Sequence, residues 1–196
     1  MNLLESIRVE NGRCYHLPYH EQRMHRAQQA LFGKVTTLHL AKHVVVPSFA
    51  QKGLFKCRVI YQQAIERVEF VPYQYKTIRT LRCVNGGHLD YAHKYEDRRA
   101  LHELFSQRGD CDDVLIIKKG RVTDTSYANV VFYDGQRWLT PDRPLLLGTQ
   151  RQYLLDQKLI VAASIAEEDL ANFRSFQVIN AFREWHHTVL PIHNIS

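Results

Sequence analysis

Hydrophobic and polar residues alternate along five short segments in the first half of the chain, a two-residue period typical of half-buried strands. The predicted strands cover residues 3–9, 13–17, 54–62, 66–73 and 77–84. The first two are joined by Asn11-Gly12, a strong signal for a hairpin turn. A helix is predicted from Pro18 to about Phe32, because proline favours a first helical turn and Gly33 favours a helix end. The pattern therefore predicts an antiparallel sheet with one long helix.

The second half mixes helical and extended patterns after Asn85-Gly86-Gly87, which is the best candidate for a domain boundary. The predicted elements are helices over about 95–107, from about 148 and over 167–173, strands at 113–119, near 160 and at 176–181, and a hairpin over 128–141. We expect an α+β fold of two small lobes with mainly antiparallel sheets and flanking helices. The predicted lobes are residues 1–85, an N-terminal α/β lobe, and residues 86–196, a C-terminal lobe.

Charge is distributed unevenly along the chain, whose formal net charge is +6. Residues 1–98 carry 15 Lys and Arg against 8 Asp and Glu, a net +7, and residues 99–196 carry 11 against 12, a net −1. A basic half suits nucleic acid or a small molecule bearing phosphate or carboxylate groups. The sequence contains no RNA-binding aromatic motif, zinc-finger spacing or long basic run, which favours the small molecule.

Other function classes are disfavoured by simple sequence features. No segment approaches the roughly 20 apolar residues of a membrane span, and the N-terminus does not resemble a signal peptide, so a cytoplasmic location and no membrane partner are expected. The four cysteines are far apart without a CxxC pair, which indicates free thiols. The eleven histidines include no HExxH motif, and we therefore expect no metal site.

Two basic residues lie where a buried charge has a chemical use. Arg23 borders the apolar face of the first predicted helix, where its guanidinium could bind a phosphate; alternatively, its stem merely covers the core. Lys94 falls on the same predicted helical face as Arg98 and Leu101 and is expected to point inward. A lysine between two lobes and near cations would have a lowered pKa and could form a Schiff base, although most lysines lie on the surface.

Two further sites in the second half could serve a phosphorylated cofactor. Asp124 could face a pyridinium nitrogen, or it could simply cap a turn. Gly148 and Thr149 open a predicted helix, and the backbone N–H groups of a helix start bind phosphate readily. The alternative for this pair is an ordinary helix start.

The order of these residues resembles the class IV aminotransferase family, the fold-type IV pyridoxal-phosphate enzymes. The resemblance spans about residues 3 to 192, nearly the whole chain. The similar blocks are LLESIRVENGR followed by YHEQRMHRAQQALFG, then HKYEDR, VTDTSYANVVFYDGQRWLTP, LLLGTQRQYLL and VINAFREWHHTVLPI. The lysine followed four residues later by an arginine is similar to the aminodeoxychorismate lyase branch.

The resemblance implies a D-amino acid aminotransferase-like fold with pyridoxal 5′-phosphate in a cleft between two lobes, and a homodimer. It implies that Lys94 carries the cofactor as a Schiff base and acts as the catalytic acid and base. Asp124 would pair with the pyridinium nitrogen. The residues implied to hold the cofactor phosphate are Arg23, Gly148, Thr149, Asn180 and Ala181. Arg58 and Arg98 are candidates for binding a substrate carboxylate, and both could equally be structural.

Two reactions fit the same residues. One is a 4-amino-4-deoxychorismate lyase-like elimination that gives 4-aminobenzoate and pyruvate, which the Lys94-to-Arg98 spacing favours. The other is transamination between an amino acid, of branched-chain or D-type, and a 2-oxo acid. A pyridoxal-phosphate-binding protein without activity is the third hypothesis, because the usual opening segment ending in YGDGVFE is absent. The sequence also departs from the family by having Asp rather than Glu at position 124, and by lacking a hydroxyl at Ala181.

Overall fold

The computed structural model describes residues 1–33, 39–87 and 89–196. The described chain divides into two compact units, Met1–Tyr75 with His93–Asp97, and Lys76–Ala92 with Arg98–Ser196. The segment that contains Lys94 therefore packs with the first unit, although it was predicted to belong to the second lobe. The division into functional lobes at residue 85 stays a prediction.

The first unit is built on a four-stranded antiparallel sheet. Its elements are β1 (Leu3–Glu10), β2 (Arg13–Cys14), α1 (Leu17–Phe32), α2 (Leu40–His43), a 3₁₀ turn at Ser48–Ala50, β3 (Leu54–Tyr61) and β4 (Ile65–Pro72). The strand order is β2-β1-β3-β4. The predicted hairpin is present, because Asn11 and Gly12 both adopt positive φ, 49° and 79°, which suits a two-residue turn.

The core of the first unit follows the two-residue period of its strands. Leu3, Ile7 and Val9 point from one face of β1 toward α1, which contributes Met24 and Ala27 to the same buried cluster. Glu5 has the same parity and is also fully buried. A carboxylate at a core position needs a compensating partner, because an isolated charge is costly to remove from water.

The second unit contains a larger, mixed sheet. Its elements are β5 (Leu81–Asn85), α3 (Arg99–Ser106), β6 (Asp113–Lys118), β7 (Arg121–Thr125), β8 (Asn129–Tyr133), β9 (Trp138–Pro141), α4 (Thr149–Asp156), β10 (Val161–Ala163), β11 (Ser175–Ile179) and β12 (Leu190–Pro191), with 3₁₀ turns at Glu168–Asn172 and Ile192–Asn194. The order runs β10-β9-β8-β7-β6-β5, and β11 pairs with both β8 and β12. The α+β fold class with mainly antiparallel sheets is confirmed.

Several predicted elements differ from the structure. The strand predicted at 77–84 is β5, which begins at Leu81 and pairs in parallel with β6 in the second unit rather than with the first sheet. The strand predicted at 13–17 ends at Cys14, and the helix predicted over 167–173 is a short 3₁₀ turn. Local alternation of residue types cannot distinguish which sheet a strand joins, since that choice is made by distant partners.

Two broad features of the described residues bear on function. No helix in the described ranges is long and apolar enough to cross a membrane. Within the same ranges, no three His, Cys, Asp or Glu side chains are grouped so that they could hold a metal ion.

Candidate functional site

Lys94 lies in a segment that pairs with the start of β1. Its carbonyl accepts a hydrogen bond from the Leu4 amide at 2.9 Å, and the Glu96 amide donates to the Asn2 carbonyl at 2.9 Å. Tyr95 forms an antiparallel bridge with Leu3. These bonds attach the segment to the sheet of the first unit, and the Lys94 side chain is half-buried there.

The prediction that Lys94 opens a helix and shares a helical face with Arg98 and Leu101 is wrong. The helix α3 begins only at Arg99, and Arg98 is its N-cap. The Lys94 carbonyl bonds to the Leu4 amide and the Tyr95 amide bonds to the His93 carbonyl, so these groups are not used in a helical turn. The helix α3 does have an apolar stripe, formed by the buried side chains of Leu101 and Leu104.

A buried cluster of Glu5, His20 and Arg23 occupies the space between β1 and α1. The Glu5 carboxylate accepts hydrogen bonds from Arg23 through Nε at 2.9 Å and Nη2 at 2.5 Å, a bidentate pair. The same carboxylate lies 2.6 Å from His20 Nδ1. Arg23 is thus buried against the core as a charge-compensated residue, and not as a stem over the surface.

Electrostatics links this cluster to Lys94. Burial opposes ionisation of Glu5, but Arg23 and His20 outweigh it and lower the pKa of Glu5 to about 2. Burial lowers the pKa of His20, Glu5 acts in the opposite direction, and the charges of Arg23 and Lys94 lower it further. The lowered pKa of His20 favours the neutral imidazole, whose Nδ1 hydrogen would then point toward Glu5. Lys94 and Arg23 therefore both lie close enough to His20 for their charges to lower its pKa.

Asp124 is buried near the end of β7, with a hydrogen bond on each carboxylate oxygen. Asn129 Nδ2 donates to Oδ1 at 2.7 Å, and the Leu146 amide donates to Oδ2 at 2.8 Å. Asn129 Nδ2 also donates to the Leu146 carbonyl at 2.8 Å. These bonds tie the carboxylate to the loop that leads into α4.

The environment of Asp124 favours its protonated form. Burial raises the pKa of Asp124 to about 7, although the hydrogen bonds from Leu146 and Asn129 and the charge of Arg151 act against that rise. Buried carboxylates with a raised pKa are common in functional sites, where they contact a charged substrate or cofactor. Nearby, Arg151 is itself buried and donates from Nη2 to the Pro141 carbonyl at 2.8 Å.

Gly148 and Thr149 form the start of α4, as predicted. Gly148 is the N-cap, no side chain caps the first turn, and that turn contains no acidic residue. The first N–H groups of a helix have no partner within the helix and carry partial positive charge. A Cβ atom at position 148 would overlap the side-chain amide of Asn129, so glycine is required for this close approach.

Asn180 and Ala181 lie beside the same end of the sheet. Ile179, the last residue of β11, pairs with Asn129, and Asn129 pairs with Asp124. The chain then bends at Asn180, whose Oδ1 accepts from the Phe182 amide at 2.9 Å. Asp124, the start of α4 and the end of β11 therefore lie close together at one end of the strands in the second unit.

The two arginines predicted to bind a substrate carboxylate already have partners. Arg98 donates from Nη2 to the Ser126 carbonyl at 2.6 Å, in the turn that follows Asp124. Arg58 pairs with Glu69 at 2.6 Å and with Glu96 at 3.6 Å. A substrate-binding role for either stays a prediction, and the paired charge of Arg58 does not favour it.

Sequence reasoning missed the roles of Glu5, Asn129 and Arg151. Glu5 carried a usable signal, because a charged residue with the parity of Leu3 and Ile7 on a buried strand face requires a buried partner. Asn129 lies five residues after Asp124, but that spacing alone does not predict the hydrogen bond between their side chains. Nothing in the sequence indicates that the Arg151 side chain turns back toward Pro141.

Comparison with known proteins identifies relatives over nearly the whole chain. The model of the amino-transferase class IV family matches residues 2–195. An uncharacterized protein of Haemophilus influenzae is 39% identical over 181 residues, which cover 91% of this chain and 96% of that protein.

Solved structures give the same result. A proposed 4-amino-4-deoxychorismate lyase from Haemophilus somnus 129PT has a TM-score of 0.88 and 37% identity, covering 94% of this chain and 97% of the other. A proposed amino-acid aminotransferase from Mesorhizobium loti has a TM-score of 0.78 and 21% identity, with 97% of each chain covered, and shows the shared fold alone. The chain belongs to the amino-transferase class IV family, whose members depend on pyridoxal phosphate.

Proposed function

We propose that this protein is a pyridoxal 5′-phosphate-dependent enzyme that converts 4-amino-4-deoxychorismate to 4-aminobenzoate and pyruvate. The observation that carries the proposal is the buried Asp124, which is tied through Asn129 to a helix start that lacks an acidic residue and a side-chain cap. The relative from Haemophilus somnus, described as a proposed lyase of this kind, supports the choice of reaction.

The residues of the chain fit this cofactor. A buried carboxylate that resists ionisation is well suited to a cationic ring nitrogen, because pairing with a cation restores its negative charge. An uncapped helix start is suited to a phosphate group. Bound pyridoxal 5′-phosphate would supply an aldehyde that condenses with amines and a ring that accepts electrons from the substrate.

Lys94 would be the reactive amine, and Arg23 would be one of the phosphate ligands. Lys94 Nζ would join the cofactor and, once displaced by the substrate amine, would remove a proton from the substrate carbon and return one to the product. Arg23 would bind phosphate through its guanidinium, which Glu5 contacts at Nε and Nη2. Glu5 fixes the plane of that guanidinium, so the arginine needs little reorganisation to bind.

Asp124 would be the partner of the ring nitrogen, and the start of α4 would supply further phosphate ligands. Asp124 would hold its negative charge against the ring nitrogen, oriented by Asn129 and by the Leu146 amide. The backbone N–H groups at Gly148 and Thr149 would bind the phosphate, together with the bend at Asn180 and Ala181. Since Ala181 has no hydroxyl, only backbone donors are available there.

The elimination is balanced without a second substrate. The bond that breaks joins the six-membered ring of the substrate to the enolpyruvyl oxygen. The substrate ring becomes aromatic by losing a proton, and the departing three-carbon unit gains a proton to become pyruvate. Transamination, in contrast, requires a 2-oxo acid to accept the amino group. The need for an acceptor therefore distinguishes the lyase from the aminotransferase that the family name describes.

The test combines covalent mapping with a product assay. The purified protein is incubated with pyridoxal 5′-phosphate, its visible spectrum is recorded before and after borohydride, and the labelled peptide is mapped by mass spectrometry. We expect the label on Lys94, its loss in Lys94→Ala, and its retention in Lys52→Ala, which alters an exposed lysine of the same unit.

The product assay tests the reaction. Formation of 4-aminobenzoate and pyruvate without added 2-oxo acid supports the lyase. Strict dependence on a 2-oxo acid refutes it, and so does a labelled protein that turns over no amino substrate. The homodimer and the cytoplasmic location stay predictions.

A further inference from the structure

The segment His93–Asp97 reaches the first unit only after the chain has passed through part of the second unit. Its position on β1 therefore depends on contacts and not on chain continuity. Backbone bonds at Lys94 and Glu96 supply part of this attachment, and a further bond from the Tyr95 amide to the His93 carbonyl, 3.0 Å, closes a three-residue turn centred on Lys94. The tyrosine ring packs against the core of the first unit.

The Glu96 side chain is the centre of a polar network on this segment. Asn2 Nδ2 donates to its Oε2 at 3.0 Å, and Arg67 Nη2 donates to its Oε1 at 3.3 Å. Arg58 Nη2 lies 3.6 Å from the same Oε1. One carboxylate thus contacts the residue before β1, one arginine of β3 and one arginine of β4.

Glu69 completes the network from the opposite side. Its Oε2 accepts from Arg58 Nη1 at 2.6 Å, and its Oε1 lies 2.6 Å from Arg67 Nε. Gln62 Nε2 donates to Asn2 Oδ1 at 2.8 Å and holds the Asn2 amide toward Glu96. Two carboxylates and two guanidinium groups balance in charge, so the network orients side chains without adding net charge beside Lys94.

We propose that Glu96 is a positioning residue for Lys94. By binding Asn2, Arg58 and Arg67, Glu96 holds the segment His93–Asp97 against β1 and thereby fixes the position of the Lys94 amine. This role rests on the proposed function of Lys94. In this arrangement Arg58 belongs to the network, and binding a substrate carboxylate would require it to leave Glu69 and Glu96.

The magnitude follows from the exposure of the network. The side chains of Glu96, Arg58 and Glu69 are 27% to 30% exposed and that of Arg67 is 57% exposed, so water screens each pair. Partly exposed ion pairs shift a local equilibrium by about fivefold or less. Removing the charge of Glu96 should therefore open the segment more often without unfolding the unit.

The experiment compares the full-length wild-type protein with Glu96→Gln, Arg67→Gln and Glu66→Gln. Glu66 lies exposed on β4 beside Arg67 and takes no part in the network, so its variant is the matched control. The first measurement is hydrogen exchange of the Leu4 and Glu96 amides without cofactor. We expect about fivefold faster exchange at both amides in Glu96→Gln, a smaller increase in Arg67→Gln, wild-type exchange in Glu66→Gln, and unchanged exchange within β3.

The second measurement is the rate at which pyridoxal 5′-phosphate becomes trapped on Lys94 by borohydride, recorded over a range of cofactor concentrations. A misplaced amine should lower the maximal rate, by at most about fivefold, and leave the half-saturating concentration unchanged, which a purely structural role would not do. Unchanged amide exchange in Glu96→Gln overturns the inference. Faster exchange with a wild-type trapping rate also overturns it, because Glu96 then holds the segment without positioning the amine.

The outcomes distinguish a failure of the proposed function from a failure of the positioning role alone. If wild-type Lys94 is not trapped at all, the proposed function is refuted and the positioning role with it. The exchange of the Leu4 and Glu96 amides still shows in that case whether Glu96 holds the segment. Wild-type trapping together with no effect of Glu96→Gln leaves the proposed function standing and removes only the positioning role.

Discussion

Replacing Asp124 by asparagine should destabilise the folded protein at acidic pH, but this loss of stability should disappear or change sign at neutral pH. An aspartate titrates near pH 4 in the unfolded chain, and burial raises the pKa of Asp124 to about 7 in the folded protein. Between these values the folded protein keeps a proton that the unfolded chain has released. Raising the pH through this window therefore removes stability from the wild type, by about 4 kcal/mol in total at 1.36 kcal/mol for each pKa unit.

The variant has no charge to bury, but it loses a hydrogen bond. Both Asp124 oxygens accept, from Asn129 and from the Leu146 amide, and an asparagine can accept on one atom only. That loss costs about 1–3 kcal/mol at any pH. Asp124→Asn should therefore be less stable than the wild type at pH 4 and equally or more stable at pH 8.

Urea denaturation of both proteins without cofactor, from pH 4 to pH 8, measures the difference directly. Titration of groups such as Glu5 is common to both proteins and cancels. A difference in unfolding free energy that does not change with pH refutes the burial argument. With saturating pyridoxal 5′-phosphate the pH dependence should flatten, because a cationic ring nitrogen lowers the pKa of Asp124; an unchanged slope would mean that Asp124 does not meet the ring.

Three further variants test separate parts of the structure. Glu5→Gln leaves Arg23 buried without a carboxylate and should lower the unfolding free energy by about 3–5 kcal/mol in urea, whereas the exposed His43→Gln in the same unit should not. In the wild type the contribution of Glu5 is complete above its ordinary pKa of 4.5 and declines as the pH falls toward about 2, which acid titration by circular dichroism can follow. Gly148→Ala forces Asn129 to move and should cost about 1–3 kcal/mol together with weaker binding of inorganic phosphate by calorimetry, and wild-type behaviour would contradict the close approach at this position. Lys94→Ala should remove the visible absorption band of the cofactor-loaded protein, and a band that persists on another lysine would show the assignment to be wrong.

Local signals in the sequence were sufficient for much of the fold. The Asn11-Gly12 turn, the long helix closed by Gly33 and the hairpin of β8 and β9 are all present, because each depends on residues close in the chain. Sheet membership was not predictable in the same way. The segment that contains β5 alternates like its predecessors, yet it pairs in parallel with β6, and that partner lies about thirty residues away.

The backbone around Lys94 shows most clearly where the sequence argument fails. Helical spacing of Lys94, Arg98 and Leu101 is real in the sequence, but the first of these residues pairs with β1 and only the last lies in α3. The Lys94 carbonyl and the Glu96 amide bond to Leu4 and Asn2, which lie ninety or more residues away in the chain. A periodic pattern cannot reveal such a bond, since the apolar stripe of α3 exists whichever structure precedes it.

Arg23 was identified from its position on a helix, but its environment changes what its charge can do. A lone buried guanidinium would attract any anion, including chloride, and would destabilise the fold when nothing is bound. The ionised Glu5 removes that penalty and leaves a planar, oriented group whose net attraction for anions is weaker. Arg23 should therefore contribute orientation more than affinity to phosphate binding. Substitution of Arg23 by lysine, which preserves charge but not the planar bidentate pair, should consequently impair phosphate binding nearly as much as substitution by glutamine.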